Sequence, residues 1–471
     1  MFSAALPFIA DYLDDLDAAL KAQEPGRGLT RSQRRWLTFC LMGLLLTNTV
    51  SWAHFERSGL RGYRHSALSW MFRHTKILWE GLWQASVSVV LAQYDLKEGV
   101  LVVDDSDHRR AKRTTRIHRA HKIYDKKTGG YFNGQALVFL VLVTPQITVP
   151  VGFRFAAPDP RQVAWRAEEK RLKRLKVPKA ERPPRPAPDA AYPSKLQLAL
   201  ELIASFRQAH AQVRIRAVLA DALYGTQAFM DQASRLCDDA QTVSQLRTNQ
   251  KVRFRGKERS LKDFFRAYPG VSQRIRVRGG EEIEVIVSSA RVHVCAHNAK
   301  RFVIALRYPN ETEYRYLVAT DLSWRTLDIV QCYTLRWLVE VFLEDWKLNE
   351  GWGPLAKQPD EEGSSRSLIL SLLLDHALIL HPEQQARLSH QAPACTVGSL
   401  RQRCQGEALV DLFRRVLEAE DPAAQFEQLA EAIKAVFPLA PSSKHMSGRD
   451  LGRQQPTPAL RYRAAEVSAC A

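Results

Sequence analysis

One stretch of the sequence concentrates side chains that could do chemistry together. Between Tyr333 and Trp352 no Pro or Gly intervenes before Gly351, and apolar residues recur at helical spacing, which predicts a helix. At about 100° per residue, four polar side chains fall within one sector of roughly 60°. They are a phenol, a guanidinium, a carboxylate and an ammonium group: Tyr333, Arg336, Glu340 and Lys347. Glu344 lies one turn further on the same face, so Glu340 and Glu344 remain alternatives. The other interpretation is a salt-bridged surface helix.

Two apolar segments upstream end in aspartate, as buried strands that present metal ligands do in several α/β folds. VLVVDDSDH at 100–108 ends in Asp104 and Asp105. Because side chains alternate along a strand, only one of these two should point at a shared site. The second segment runs from Ile215 to Leu219, ends at Asp221 and is followed by a turn at Gly225. Each segment alone could equally be an ordinary strand-to-loop boundary.

The order of these elements resembles a known enzyme family. Two strand–Asp units followed by the spacing Tyr-x2-Arg-x3-Glu-x6-Lys are similar to the motifs of bacterial insertion-sequence DDE transposases with the YREK signature, the IS-four family. The resemblance covers roughly residues 100–385. It implies a ribonuclease-H-like catalytic core and cut-and-paste transposition by a homodimer bound to double-stranded DNA at paired transposon ends. It also implies that the catalytic metal ligands are Asp105 (which precedes Ser106), Asp221 and Glu340, with Asp104 as the alternative to Asp105.

The chemistry expected of three such carboxylates is metal-dependent. Their charges repel one another, and all-oxygen ligands suit Mg²⁺, with Mn²⁺ as a substitute, better than zinc. Two ions about 3.5–4 Å apart stabilise the attacking and leaving oxygens of a phosphodiester. Water would nick a strand, and the 3′-OH released would attack a second phosphate. Arg336, Lys347 and Tyr333 can bind phosphate, and the resemblance implies that they hold the 5′ phosphate end and a hairpin DNA intermediate.

The charge of the chain indicates a polyanionic partner. The formal net charge is +18 and the isoelectric point is near 9.7, which favours nucleic acid. The segment 109–130 is dense in Arg, Lys and His and follows the first aspartates, so we expect it to contact phosphates. The alternative is a merely solvated loop. The candidate phosphate-binding residues are Arg109, Arg110, Lys112 and Arg113.

The patterns along the chain predict an α/β fold with an inserted antiparallel β subdomain and helical N- and C-terminal regions, and the resemblance implies that its core is a ribonuclease-H-like mixed sheet flanked by helices. Residues 50–73 could form a helix-turn-helix-like unit or an ordinary helical hairpin. The predicted regions are a helical DNA-binding region at 1–97, the first part of the core at 98–249 with a mobile basic linker at 157–194, a β-rich insertion at 250–325, the second part of the core at 326–385, and a helical region with a disordered tail at 386–471.

Several classes of protein are disfavoured. No secretory signal or long apolar span is present, and the seven cysteines follow no pattern, so we expect a cytoplasmic protein that is nucleoid-associated when DNA-bound and has no membrane partner. No Gly-rich phosphate loop occurs, which disfavours a nucleotide-driven motor. The alternatives to a transposase are a nuclease of the same fold and a catalytically silent DNA-binding protein.

Overall fold

The protein has a mixed α/β fold in which helices flank one large sheet of twelve strands. A computed structural model describes residues 5–59, 62–110, 116–277, 280–351 and 358–436. The helices are α1 (Pro7–Gln23), α2 (Arg31–Thr47), α3 (Trp52–Ser58), α4 (His65–His74), α5 (Trp79–Gln93), α6 (Pro160–Arg174), α7 (Lys195–Ala209), α8 (Gln227–Leu236), α9 (Leu261–Ala267), α10 (Thr326–Thr334), α11 (Trp337–Asn349), α12 (Glu361–Ile379), α13 (Pro382–Ser389), α14 (Val397–Leu417) and α15 (Pro422–Val436). The strands are β1 (Glu98–Arg109), β2 (His121–Asp125), β3 (Gly130–Val143), β4 (Thr148–Ala156), β5 (Arg214–Ala220), β6 (Gln241–Leu246), β7 (Lys251–Phe254), β8 (Lys257–Ser260), β9 (Val271–Arg276), β10 (Glu282–Val294), β11 (Ala299–Arg307) and β12 (Arg315–Ala319).

The core of the sheet has the strand order β4–β3–β1–β5–β6. Strands β1, β3 and β4 form an antiparallel meander, whereas β5 runs parallel to β1 and β6 runs parallel to β5. The apolar runs of β1 and β3 are buried on both faces, which is why they lack polar alternation. The predicted mixed sheet flanked by helices is confirmed. Pro150 lies on β4, which pairs only with β3 among the described strands, as expected for an edge strand.

The β-rich insertion continues the same sheet instead of forming a detached unit. Its strand β12 pairs antiparallel with the core strand β6, and β11, β10, β7 and β8 come next in that order. The antiparallel character of the insertion was predicted, but the short helix α9 within it was not. Ser260 caps α9 by accepting the backbone N–H of Asp263 at 3.1 Å. The two parts of the sheet are therefore held together by backbone hydrogen bonds.

Side-chain alternation assigns the helices to the two faces of the core sheet. The ring of Phe139 on β3 lies 5.0 Å from that of Trp346 on α11. On the opposite face, Gly152 pairs with Leu140 and faces Leu202 of α7, so close that a Cβ there would meet Leu202 at 2.9 Å. Successive residues of a strand point to opposite faces. Helix α11 therefore covers one face and α7 the other, and the buried helix α12 lies behind α11.

The single helix predicted from Tyr333 onward is two helices. Between α10 and α11 the backbone makes bonds of the i to i−3 type, with Leu335 N–H donating to Cys332 at 3.0 Å and Arg336 N–H to Tyr333 at 3.1 Å. Such bonds tighten the turn and change the rotational phase of the second helix relative to the first. Tyr333 thus belongs to the end of α10, whereas Arg336 immediately precedes α11. Trp352 lies outside the described residues.

The segment 157–194, expected to be a mobile linker, is folded against the protein. Asp159 caps α6 by accepting the N–H of Arg161 at 2.8 Å. The Trp165 indole then donates to the Pro183 carbonyl at 2.9 Å. Proline carbonyls still accept hydrogen bonds, so a Pro-rich chain can be held by a neighbouring helix. The composition of this segment did not predict these contacts.

The N-terminal region is helical as predicted, and α1, α2 and α5 pack around α12. Gly59 and Gly62 lie between α3 and α4, at the predicted turn. Whether this pair reads DNA stays a prediction. Among the described residues no helix is long and apolar enough on its own to cross a membrane, although two sharply bent helix pairs meet that test when each pair is taken together.

Candidate active site

The two neighbouring aspartates of β1 point to opposite faces of the sheet. Asp104 pairs with Phe139 and so lies on the α11 face, whereas Asp105 pairs with Val138 and lies on the α7 face. The alternation expected from the sequence is therefore present. The sequence predicted that only one of the two would point at a shared site. Instead, the two side chains contact different partners, and an oxygen of each still lies within 4.8 Å of one from Asp221.

Asp104 is held by a cation from the start of α11. It is 9% exposed, and Arg336 Nη1 donates to its Oδ2 at 2.9 Å. Burial raises the pKa of Asp104 to about 7, and the charges of Asp221 and Asp105 act in the same direction, although Arg336 opposes the shift. The other nitrogen of the same guanidinium, Nη2, donates to Glu340 Oε1 at 2.5 Å. One arginine thus links two carboxylates from distant parts of the chain.

Asp105 is held by a cation from α7. Its Oδ2 accepts a hydrogen bond from Lys195 Nζ, and both side chains are partly exposed. Lys195 is the first residue of α7, whose N-terminus is fixed by a capping box between Ser194 and Gln197. Ser194 is therefore the N-cap of α7. This cap directs the lysine toward the sheet edge.

Asp221 follows the C-terminal end of β5, beside the aspartates of β1. Its Oδ1 accepts the N–H of Leu223 at 2.8 Å, and its own carbonyl accepts the Ser244 hydroxyl at 2.6 Å. Burial raises the pKa of Asp221, and the negative charge of Asp105 adds to this effect. The parallel pairing of β1 with β5 explains the proximity, since Val103 lies opposite Ala220.

The three aspartates form one group of potential metal ligands. Asp104, Asp105 and Asp221 each offer a carboxylate oxygen, and these oxygens lie within 4.8 Å of one another. The fully buried Tyr224 lies beside them, and its hydroxyl has no hydrogen-bond partner in the described part of the chain. Burial, and then the aspartate charges, raise the pKa of this phenol. An all-oxygen donor set with excess negative charge fits a divalent cation such as Mg²⁺ or Mn²⁺.

The remaining members of the predicted motif lie around this group in different ways. Glu340 is joined to it through Arg336 and is not among the oxygens within 4.8 Å. Glu344 is exposed. Lys347 is half-buried; burial lowers its pKa, while nearby Asp107 and Asp104 oppose the shift.

Tyr333, expected to contact phosphate, is 8% exposed, and its hydroxyl donates to the Ala220 carbonyl at 3.3 Å. In this structure it braces the end of β5, next to Asp221. Tyr333 lies near the end of α10, before the tightened turn, whereas Glu340 and Lys347 lie on α11 after it.

The basic segment after β1 divides into distinct environments. Arg109 is exposed, lies 3.4 Å from Asp125 and stacks over the Phe132 ring at 4.9 Å, so it remains open to a ligand. Arg110, also predicted to bind phosphate, is instead buried, and its Nε donates to Gln135 Oε1 at 3.0 Å. Burial lowers the pKa of Arg110 to about 10. The predicted phosphate ligands Lys112 and Arg113 lie outside the described residues.

Sequence reasoning missed two residues of the site, Lys195 and Tyr224. Lys195 follows the N-cap Ser194, and a cation in the first turn of a helix is unusual because the helix dipole disfavours it there. That local inconsistency was the available signal. Tyr224 precedes Gly225 in the turn after Asp221, and this Tyr-Gly pair was the available signal.

A second group, formed by His381, Cys404 and Glu407, also has closely spaced ligand atoms. His381 Nδ1 already accepts a backbone N–H at the start of α13, and Glu407 is paired with Arg403, so both have structural roles.

Comparisons with known proteins bear on the family of this chain. The sequence profile of a family described as "DDE superfamily endonuclease" matches residues 26–280, which are 255 of the 471 residues. No curated protein matches the chain. Among solved structures, the cryo-EM structure of the piggyBac transposase synaptic complex with hairpin DNA is similar at 10% sequence identity and a TM-score of 0.40, over 94% of this chain and 85% of that one. The profile match includes the three aspartates and ends before α11. The chain belongs to the DDE superfamily endonuclease family.

Proposed function

We propose that this protein is a DNA transposase that cuts and rejoins phosphodiester bonds with Mg²⁺. The observation that carries the proposal is the convergence of Asp104, Asp105 and Asp221, whose oxygens lie within 4.8 Å of one another in a chain of this endonuclease family. The net charge of +18 supports DNA as the partner. The Tyr-Arg-Glu-Lys spacing supports the IS-four type, which would act as a homodimer on paired DNA ends.

In this proposal Asp105, Asp221 and Glu340 hold the metal, with Asp104 as the alternative to Asp105. Bound divalent cations would stabilise the negative charge on the attacking and leaving oxygens, and Mn²⁺ would substitute for Mg²⁺. In the structure, the guanidinium of Arg336 forms ion pairs with both Asp104 and Glu340. A phosphate offers the same bidentate partner, so DNA would draw Arg336 away and release the two carboxylates.

The cations around the site would position the DNA backbone. Lys347 is half-buried and near Asp107, so it presents a point charge next to the carboxylates. Arg109 is exposed at the end of β1 and can reach phosphates further along the strand. These contacts would set affinity and its dependence on salt, since each neutralised phosphate releases counterions.

The test is a cleavage assay with Mg²⁺ on a duplex that carries the DNA flanking the gene, run beside a binding assay on the same duplex. The variant is Glu340→Gln, and the matched control is Glu344→Gln, one turn away, exposed and without an ion pair among the described residues. We expect wild type and Glu344→Gln to cut, and Glu340→Gln to bind without cutting.

The products distinguish the possible activities. Joined molecules with a new 3′ linkage support a transposase, whereas nicks without joining indicate a nuclease of the same family. Equal binding by all three proteins with no cutting, in Mg²⁺ or Mn²⁺, would leave a DNA-binding protein without catalytic activity and refute the proposal. Equal cutting by Glu340→Gln and wild type would remove Glu340 from the ligand set.

A further inference from the structure

A cavity of about 690 Å³ shares a wall with the carboxylate group. It lies between the edge strand β2 and the segment that runs from α6 to the first turn of α7. Three of its lining residues connect it to the site: Lys195 contacts Asp105, Asp107 lies two residues further along β1, and Leu223 donates to Asp221. Whatever occupies this cavity is therefore adjacent to any phosphate held by the aspartates.

The outer wall of the cavity is built by specific contacts. Gln162 of α6 donates to the Pro186 carbonyl at 2.5 Å and accepts Nε of Arg185 at 3.0 Å. The guanidinium of Arg119 stacks on the Tyr192 ring at 4.4 Å, which fixes the last part of the segment against the β2 side. The cavity thus depends on the ordered segment 157–194.

The charge of the cavity favours an anion. Two of its three acidic residues, Asp159 and Asp189, are already paired with Arg161, and the charge of the third, Asp107, lies near that of Lys347. Two of its cations, Lys122 of β2 and Arg166 of α6, form no ion pair anywhere in the chain as the structure describes it. Cations that face a cavity without a carboxylate partner are suited to phosphate.

The mouth of the cavity carries an exposed aromatic surface. Tyr124 lines the cavity and is 53% exposed, and Tyr131, its partner across the hairpin, is 71% exposed. Their rings lie 5.3 Å apart in an edge-to-face arrangement. Lys126 and Lys127 are exposed in the same hairpin. Aromatic rings beside backbone-neutralising cations are how proteins bind unpaired bases.

We infer that this cavity binds one unpaired nucleotide of the DNA, next to the phosphate on which the aspartates act. The inference rests on the proposed function and adds a requirement to it. The volume is within the range of about 300–1,000 Å³ typical of small-ligand sites. A double helix is wider than its own major groove, which is about 12 Å across, and is therefore too wide for this cavity. Lys195 both lines the cavity and contacts Asp105, so a nucleotide in the cavity would lie beside a phosphate held by the aspartates.

The test compares two fluorescein-labelled duplexes of one sequence, one blunt and one with a short thymidine tail, by anisotropy in EDTA so that neither is cut. The variants are Tyr124→Ala and Arg166→Ala. Tyr124→Phe keeps the ring, and Arg171→Ala removes an α6 arginine that pairs with Glu168 outside the cavity. We expect wild type to prefer the tailed duplex about tenfold, within the range for stacking of one base.

Both alanine variants should lose that preference, and the two controls should keep it. Equal preference in Tyr124→Ala, Arg166→Ala and wild type would overturn the inference, while DNA cutting by wild type would leave the proposed function standing. If free dTMP displaced the tail at concentrations similar to those of the tail itself, the cavity would be assigned to a free mononucleotide. That result would also overturn the inference. Failure of wild type to bind either duplex would refute both proposals.

Discussion

Two groups of carboxyl side chains lie near α11, and they are neutralised in different ways. At the sheet edge, the aspartates of β1 are held by Arg336 and Lys195. Below the C-terminal end of α11, Glu350 and Asp375 lie together in the core, 0% and 5% exposed, and neither forms an ion pair within the described chain. The first group is neutralised by cationic side chains, whereas burial favours the protonated, uncharged form of the second.

The core pair shows why clustering of carboxyl groups does not by itself make a metal site. Burial raises the pKa of Glu350 well above its ordinary value and that of Asp375 to about 7, so burial favours the uncharged form of both groups. This pair is closed to solvent, so an ion has no path to it. The sheet-edge group is partly exposed, and long flexible side chains neutralise it. Access and replaceable cations therefore distinguish the two groups.

The largest effect on activity is expected from removing a carboxylate at the sheet edge. Asp221→Asn should lower Mg²⁺-dependent DNA cutting at least about a thousandfold, because a ligand to the metal is lost, a change of about 4 kcal/mol. DNA binding should remain. The control is Asp239→Asn, an exposed aspartate just after α8. Residual cutting near the wild-type rate would exclude Asp221 as a ligand.

Metal binding can distinguish the sheet-edge carboxylates from the core pair without an activity assay. Mg²⁺ at about 100 times its dissociation constant should raise the free energy of unfolding of wild type by about 2.7 kcal/mol, because the ion binds only the folded protein. The measurement is thermal unfolding with and without Mg²⁺. Asp221→Asn should show a much smaller rise, whereas Glu350→Gln should respond as wild type does. A full response in Asp221→Asn would place the ion elsewhere.

The core pair should control the pH dependence of stability. A carboxyl group whose pKa is raised in the folded state stabilises the protein at low pH and loses that contribution as pH rises from about 4, its ordinary pKa, through the raised value. Glu350→Gln removes the need to bury a charge. It should therefore raise the free energy of unfolding by about 1–2 kcal/mol at pH 8 and flatten its dependence on pH. Denaturant titrations at several pH values measure this.

Glu344→Gln, an exposed change on the same helix, is the control for this prediction. It should leave the pH profile as in wild type. A stability curve for Glu350→Gln that still falls between neutral and alkaline pH would assign the dependence to other groups.

The smallest expected effect concerns the cation on the α7 face. Ser194→Ala removes the cap that fixes the start of α7 and should cost about 1 kcal/mol of stability. Because Lys195 follows this cap, the contact with Asp105 should loosen as well. Chemical denaturation measures the first effect, and Mg²⁺ titration of the variant measures the second, with slightly tighter binding expected as Lys195 competes less. Thr226→Ala, at the N-cap of α8, is the matched control.

The part of the site that could be predicted from sequence is the part that depends on local pattern. Apolar runs that end in Asp104 and Asp221 predicted two buried strands, and parallel pairing of these strands then brings their ends together. The antiparallel insertion was predicted from similar local patterns of apolar and polar residues, whereas the mixed core sheet was expected from the family resemblance.

The parts that were not predicted depend on contacts between distant residues. Lys195 and Asp105 are 90 residues apart, and no pattern in either segment indicates the other. The turn that divides α10 from α11 contains no Gly or Pro; packing of Tyr333 against the end of β5 accompanies it. Arg110 is buried because it meets Gln135 of β3, a pairing set by the register of two strands.

The junction between β6 and β12 has a mechanical consequence. Tyr316 lies opposite Leu246 and Ala319 opposite Val243, so the ladder of backbone hydrogen bonds crosses from insertion to core without a hinge. The outer strands and the strands that bear the aspartates therefore behave as one stiff, twisted plate. A force applied to β8 would be transmitted through these hydrogen-bonded strands to the ends of β5 and β1. Displacement of the outer strands would therefore rotate the carboxylates slightly relative to α11.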